Sequence, residues 1–234
     1  MERERHLAGT FVELAEQLVG DYAVEDFLHL LVERCGELVG AAAVGVMLSD
    51  EYGSLRIASA STEDMRALEL LEMQQQQGPC YEAYDTGEQV IEADISGAHD
   101  RWPDFTPRAL DLELRSVHAF PMRLRGQTIG ALNVFFHEPG GFDEIDIHTL
   151  QALADVATIA IVQERAGRES SVLAGQLQQA LDSRVVIEQA KGILAGEDED
   201  LNAAFVRLRS YSRDRNLRLR DVAQHVVEHR SLPD

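Results

Sequence analysis

The chain has 234 residues, 45% of them hydrophobic, and a formal net charge of −20 at pH 7. That is enough apolar content for a packed core, which excludes a disordered polymer, and the length suits one large domain or two small ones. Two cysteines, Cys35 and Cys80, exclude a disulfide scaffold and fit a reducing compartment.

The N-terminal stretch MERERHLAGTFVELAEQLVG alternates charges and has no uninterrupted apolar run, so neither a signal peptide nor a membrane span is expected, and the expected location is the cytoplasm. Leu7, Phe11, Leu14 and Leu18 form one narrow stripe at helical spacing, which calls for a partner helix. Asp21 is the expected N-cap of a second helix, with Val24, Phe27, Leu28, Leu31, Cys35, Leu38 and Val39 on its buried face and Gly40 at its end. Cys35 reads as a small core hydrophobe.

From Ala43 the period changes to that of strands. AVGVMLSD and LRIASAS, joined at Asp50 to Ser54, form a hairpin. A helix follows over Glu63 to Gln76, with Met65, Leu68, Leu71 and Glu72 at helical spacing, and Gly78-Pro79 stops it. Pro79 suits the first turn of a short helix and Gly87 its left-handed end; Gln89 to Ala93 is a short edge strand. A loop-rich passage runs through Arg101-Trp102-Pro103 to Pro107. Two stronger strands, Ser116 to Leu124 and Thr128 to His137, turn at Gly126, giving a mainly antiparallel sheet of five or six strands with helices before and after it.

The phrases GPCYEAYDTGEQVIEAD, RWPDFTPRAL, LRSVHAFPMRLRGQTIGALNVF and GFDEIDIHTLQALADVATIAI resemble a bacterial GAF domain in order and spacing. The resemblance implies a small-molecule or redox sensor with a pocket on one sheet face and terminal helices that make a dimer; it does not name a ligand. The candidate pocket residues are Cys80, Tyr81, Tyr84, Trp102, His118 and Asn133, although the three aromatics equally suit ordinary loop packing. His118 reads as a hydrogen-bonded interior residue rather than a metal or haem ligand. Some GAF proteins are methionine sulfoxide reductases, and Cys80 raises that alternative. It requires a resolving thiol, and Cys35 is expected on a buried helix face. No phosphate loop, HExxH, nucleophile elbow or kinase motif is present, so an enzyme is not expected.

After Gly140-Gly141-Phe142 a long helix is expected, capped by Asp143 or Asp146, with Ile147, Leu150, Ala154, Ala157 and Ile161 as a coiled-coil-like seam. Gly167 and Gly175 loosen it, while Leu173, Leu177 and Leu181 resume the stripe, marking a helical linker rather than a flexible tether.

Positive charge is gathered at the end. Residues 1 to 175 carry 12 arginines against 31 acidic residues, whereas 176 to 230 carry 9 basic and 9 acidic residues, six of the arginines within positions 207 to 220. A chain this acidic repels polyphosphates except where its positive charge is concentrated. Charge alone equally describes a solvated arginine face balanced by Asp198, Glu199, Asp200, Asp214 and Asp221. Three short helices are expected here. Asp200 caps the second, whose core face is Leu201, Ala204, Phe205 and Leu208; Asn216 stops it; the third carries Val222, Val226 and Val227 inward. His225 and His229 stand four apart, but no carboxylate pattern completes a metal site.

SRVVIEQAKGIL followed by AAFVRLRSYSRDRNLRLRDVAQHVV resembles an ANTAR domain, so the whole is similar to GAF and ANTAR transcription antitermination regulators of the actinobacterial type. The resemblance implies a homodimer, joined through N-terminal and linker helices, that holds paired hairpins in nascent RNA. By position, exposed Lys191 and Arg209 contact RNA and Tyr211 packs or stacks. Ala190 and Gly192 permit close helix approach, and Arg184 and Arg213 border the surface. Three departures stand out: a short, acidic connection from Leu194 to Leu201, Ser212 in place of Ala, and Arg220 at a capping position, where loss of the cap costs about 1 kcal/mol. The expected divisions are residues 1–20 (dimer helix), 21–163 (GAF), 164–180 (linker) and 181–234 (ANTAR). A DNA-binding regulator is the second reading.

Overall fold

A computed structural model describes residues 2–18, 23–140, 143–195 and 200–233. The chain divides into two compact units, Met1–Arg165 and Ala166–Asp234.

The first unit runs α1 (Glu2–Gln17), α2 (Val24–Val39), β1 (Ala43–Ser49), β2 (Leu55–Ala60), α3 (Glu63–Gln75), α4 (Pro79–Thr86), β3 (Val90–Glu92), α5 (Phe105–Asp111), β4 (Ser116–Leu124), β5 (Gln127–Phe136) and the start of α6 (Glu144–Ala195). The five strands form one sheet in the order β2-β1-β5-β4-β3, every neighbour antiparallel.

Local chemistry accounts for most of the element ends. Asp50 Oδ1 accepts from the backbone N–H of Tyr52 and Ser54 and closes the β1–β2 turn. Thr62 caps α3 by accepting from Met65 N–H, and Asp143 caps α6 by accepting from Asp146 N–H. Both Arg125 and Gly126 have positive φ, the requirement of a two-residue hairpin turn whose twist matches its strands. Just beyond it the register of β4 against β5 slips, because Met122 pairs with Gly130 and Arg123 with Thr128, leaving Ile129 as a bulge turned onto the opposite face from Ala131.

Three local expectations are corrected. Asp21 lies outside the described residues, and α2 starts at Val24 with Ala23 at the N-cap and no side-chain cap. The passage read as loop contains α5, whose Pro107 falls in the first turn, where no helical N–H is needed. Gly167 and Gly175 do not interrupt α6, which runs unbroken for 52 residues.

The sheet separates two cores. Val44, Val46, Leu48, Phe120, Met122, Leu132 and Val134 face α1, α2 and α6, meeting Leu14, Phe27, Leu31, Leu150, Leu153, Ala157 and Ile161. Each fully buried Leu, Val or Phe contributes about 1.5–3 kcal/mol. One window of α6 is apolar enough to cross a membrane by length and composition, and the residues between 150 and 161 show why: they are the helix's half of this core. The other sheet face, with Ala43, Met47, Val117, Ala119, Ala131 and Phe135, is covered by α3, α4 and α5.

In the second unit α6 is followed by α7 (Leu201–Asp214) and α8 (Leu219–His229) around a small core of Ala190, Leu208, Val222, Ala223 and Val226. Leu201 is half exposed and Phe205 only partly buried, so α7 presents a narrower face than its apolar residues imply. Asp200 occupies the N-cap of α7 without a side-chain bond. The N-cap of α8 is Arg218, not Arg220, so the expected fraying at Arg220 does not apply. Ser212 is buried, and its hydroxyl donates to Leu217 O at 2.6 Å, tying α7 to the turn before α8. Asn216 takes the left-handed conformation that ends α7. The acidic stretch 196–199 lies outside the described residues.

Candidate ligand site and nucleic-acid interface

On the face of the sheet covered by α3 to α5, the floor is small. Gly45 of β1 pairs with Asn133 of β5, which pairs in turn with Ala119 of β4. Glu69 fills the space over Gly45: a Cβ there would lie 2.1 Å from its Oε1. One turn on, Glu72 reaches the start of α4. Gly78, the N-cap, has no side chain to cap with, so Glu72 Oε2 accepts instead from Cys80 N–H (2.9 Å) and Tyr81 N–H (3.3 Å). A Cβ on Gly78 would meet the Glu72 carboxyl at 2.6 Å, and its φ of 122° is a glycine conformation.

Glu69, Glu72 and Asn133 are all fully buried. Both oxygens of Glu69, Oε1 of Glu72 and both polar atoms of the Asn133 amide make no hydrogen bond among the described residues. A buried polar atom left unmatched costs about 1–3 kcal/mol. Burial drives both carboxyls toward their neutral form: Glu72 is raised to about 8 even though the two N–H donors oppose the shift, and Glu69 goes well above the carboxylate range, pushed further by Glu72. Cys80 is also sealed in, its thiol donating to Ala131 O at 3.6 Å. Burial first, then the two glutamates, hold that thiol protonated, and Asn133 beside it only partly offsets them.

The proposed pocket residues do not converge on one place. Cys80, Trp102 and Asn133 lie on this face, with Tyr81 half-buried on α4. Trp102 is committed to packing: its Nε1–H donates to Glu82, its ring meets Phe105 edge-on, and Arg101 covers it at 4.6 Å. Tyr84 braces the β1–β2 turn, its hydroxyl donating to Gly53 O at 3.2 Å. His118 lies on the opposite face beside Phe120 and lines a separate cavity of about 240 Å³ with Val39, Ser116 and Phe136; burial lowers it to about 4, so it stays neutral. Strand alternation explains the separation, since 118 and 133 are of opposite parity on paired strands where His118 faces Val134. The sequence marks Glu72 only as a member of the α3 stripe and does not single out Glu69; neither is a candidate site residue there. The signal was that they follow Met65 and Leu68, both fully buried, at one helical turn.

In the C-terminal unit Ala190 is fully buried against α7 and α8, as close helix approach requires, whereas Gly192 is exposed with nothing within 4 Å of its Cβ position. Lys191 is not the exposed cation the sequence implied. Its side chain is 14% exposed, its ammonium donates to both Glu188 oxygens at 2.8 and 2.9 Å, and it stands 5.5 Å from the Phe205 ring. Arg184 and Arg209 are exposed, and Arg213 lies 3.8 Å from Asp214. Tyr211 is half-buried; Arg215 covers its ring at 4.1 Å, and its hydroxyl donates to Pro233 O at 2.7 Å. His225 and His229 stack at 4.1 Å, and no cluster able to hold a metal occurs among the described residues.

Comparison with known families matches a GAF domain over residues 22–162 and an ANTAR domain over 175–227. No curated protein matches. Among solved structures, a GAF domain from a phosphoenolpyruvate-protein phosphotransferase of Coxiella burnetii shares 17% identity, covering 70% of this chain and 98% of that one, with a TM-score of 0.56. A domain of a putative two-component sensor histidine kinase from Sinorhizobium meliloti 1021 shares 14%, covering 64% and 99%, at 0.55. A free methionine-R-sulfoxide reductase from Neisseria meningitidis, in complex with its substrate, shares 21%, covering 70% and 91%, at 0.53. At these identities the likeness shows the fold alone. The family match spans more than half of the chain, and it agrees with the five-stranded sheet, its flanking helices and the helical C-terminal unit: the chain belongs to the GAF family and, with its ANTAR domain, is a GAF–ANTAR regulator.

Proposed function

We propose that the chain is a cytoplasmic, homodimeric transcription antitermination regulator whose GAF sensor controls two ANTAR modules that bind paired hairpins in nascent RNA. The observation that carries this reading is the surface of α7: in a chain of net charge −20, Arg209 and Arg213 stand exposed one turn apart on one flank of the helix, and Arg215 stacks on the ring of the half-buried Tyr211 on the other. Guanidinium groups next to an aromatic face suit phosphates and unpaired bases. Dimerisation is supported by Leu173, Leu177 and Leu181, each more than half exposed at four-residue spacing on α6. The sensor then acts by altering how paired α6 helices pack. A regulator is favoured over a sulfoxide reductase because Cys80 is buried as a neutral thiol and Cys35, its thiol pushed up to about 12, belongs to the core on the other side of the sheet.

A titration of dual-hairpin RNA against the intact protein tests the reading. Binding should weaken steeply with salt, and Arg209→Ala should cost about tenfold, ~1.4 kcal/mol, and reduce the salt slope by about one. Preference for duplex DNA over the hairpins supports the DNA-binding reading instead, and unchanged affinity in Arg209→Ala removes α7 as the contact surface.

A further inference from the structure

The acidic pair inside the sensor unit is not absorbed by anything above. Its geometry defines a recognition chemistry. Glu69 reaches down from α3 to stand over Gly45, and Gly45 is paired directly with Asn133, so the carboxyl covers the sheet position next to the one from which the amide rises, about 5 Å away across the strands. Glu72 follows Glu69 by one helical turn, with one oxygen turned to the start of α4 and the other unmatched. Burial favours the protonated form of both carboxyls while the site is empty; once ionised, as a bound cation would hold them, the unmatched set offers three carboxyl oxygens and one amide oxygen as acceptors against the Asn133 N–H groups as donors. A ligand rich in acceptors, such as a carboxylate or phosphate, finds only the Asn133 N–H groups and the O–H groups of whichever carboxyls stay protonated, and ionisation of either carboxyl repels it. A metal ion is poorly served, since no group of three or more ligating side chains occurs among the described residues. A ligand that brings several N–H donors and a positive charge satisfies the three carboxyl oxygens and the amide oxygen, and leaves the Asn133 N–H groups beside the Cys80 sulfur.

We propose that the sensor unit binds a small organic cation, a primary ammonium or a guanidinium, with its N–H groups donating to Glu69, Glu72 and the Asn133 amide oxygen. The inference rests on reading this unit as a sensor. Asn133 supplies an observation independent of the acids: a fully buried amide, beside them, whose oxygen has no hydrogen-bond partner among the described residues and whose N–H groups have only the Cys80 sulfur nearby. The apolar remainder of such a ligand has Met47, Met65, Phe105 and Phe135 of the same core to pack against. Glu69 is the movable member, because it touches the floor at Gly45 and makes no hydrogen bond of its own.

The test uses the full-length protein without RNA and three probes of equal size: butylamine, butylguanidine and butyltrimethylammonium, with butyrate as the anionic control. Differential scanning fluorimetry and calorimetric titration should show saturable binding of the first two, and at least tenfold weaker binding of butyltrimethylammonium, which carries the charge without N–H donors. Glu69→Gln, nearly isosteric and keeping an acceptor oxygen, should weaken butylguanidine at least tenfold; Asn133→Ala, measured alongside, should weaken it by a smaller factor. Equal binding of all three cations means attraction to the acidic surface and overturns the proposal, as does no saturable binding of either N–H donor probe, or unchanged binding in both variants. RNA affinity measured on the same samples separates the two readings: hairpin binding with no cation effect sinks this inference alone, whereas cation binding without hairpin binding sinks the antitermination reading alone.

Discussion

Glu69 and Arg209 are both ionisable residues in mid-helix, one sealed over Gly45 inside the sensor unit and the other standing in solvent on the C-terminal module. The two regions use charge in opposite ways. The module displays its arginines around a small core, Ala190, Leu208, Val222, Ala223 and Val226 among the described residues, so its surface chemistry is strong and its own stability small. The sensor hides its acids behind a floor of small residues, within a unit whose two cores lie on both sides of a five-stranded sheet. A displayed charge acts at long range and is tuned by salt; a hidden one acts at contact distance and shifts its own protonation.

The comparison can be broken at its weak side first. Leu208→Ala removes the largest side chain from the module's fully buried core and should cost about 2–5 kcal/mol. For a unit this small that is most of its stability, so circular dichroism should show loss of helix in a separate, low-temperature transition, with hairpin binding lost and the sensor's transition unchanged.

Two glycines sharpen the sensor side. A Cβ on Gly130 would lie 2.1 Å from the backbone carbonyl of Met47, which cannot move without disturbing β1; a Cβ on Gly45 would meet only side-chain ends, the Glu69 carboxyl and the Met65 methyl. Gly130→Ala should therefore reach or exceed the top of the ~1–3 kcal/mol range of overpacking, and Gly45→Ala about half of it, as read from urea midpoints. Equal losses mean that Glu69 is as fixed as backbone.

A further handle is pH dependence. Glu72 is raised to about 8 in the folded chain, first by burial, from an ordinary value of 4.5. The folded state then holds a proton that the unfolded state releases between those values, so the contribution is present in full below pH 4.5 and is lost as pH rises toward about 8. Sensor stability in the wild type should fall from pH 5.5 to pH 8, with Glu69 adding in the same direction, and the slope should be shallower in Glu72→Gln. A slope unchanged by the substitution means that Glu72 does not carry the proton.

Much of the sensor's fold was legible residue by residue. Strand alternation marks β1, β2, β4 and β5, Pro79 and Gly87 bracket α4, and Gly126 marks the last hairpin. The site was less so. Lys191 reads as an exposed contact, but its engagement depends on Glu188 one turn away and on Phe205 of α7. Arg215, which the sequence does not distinguish from the other arginines of 207–220, gains its place from a stack on Tyr211. His118 and Asn133 read as partners in one pocket, and the sheet parts them.

By itself the sequence determined the two-domain order, the helices and strands, the concentration of positive charge at residues 207–220 and the apolar stripe of α6, because each is a periodic or local property that needs no knowledge of a neighbour. Only the tertiary structure decided that Glu69 and Glu72 are interior groups, that Asn133 lies beside Glu69 and Cys80, and that the Cys80 thiol is sealed in the core. Those facts depend on which strands pair and which helix covers them. A carboxylate contributes the same charge to composition whether it faces water or a protein interior, and the difference exists only once the chain has closed around it.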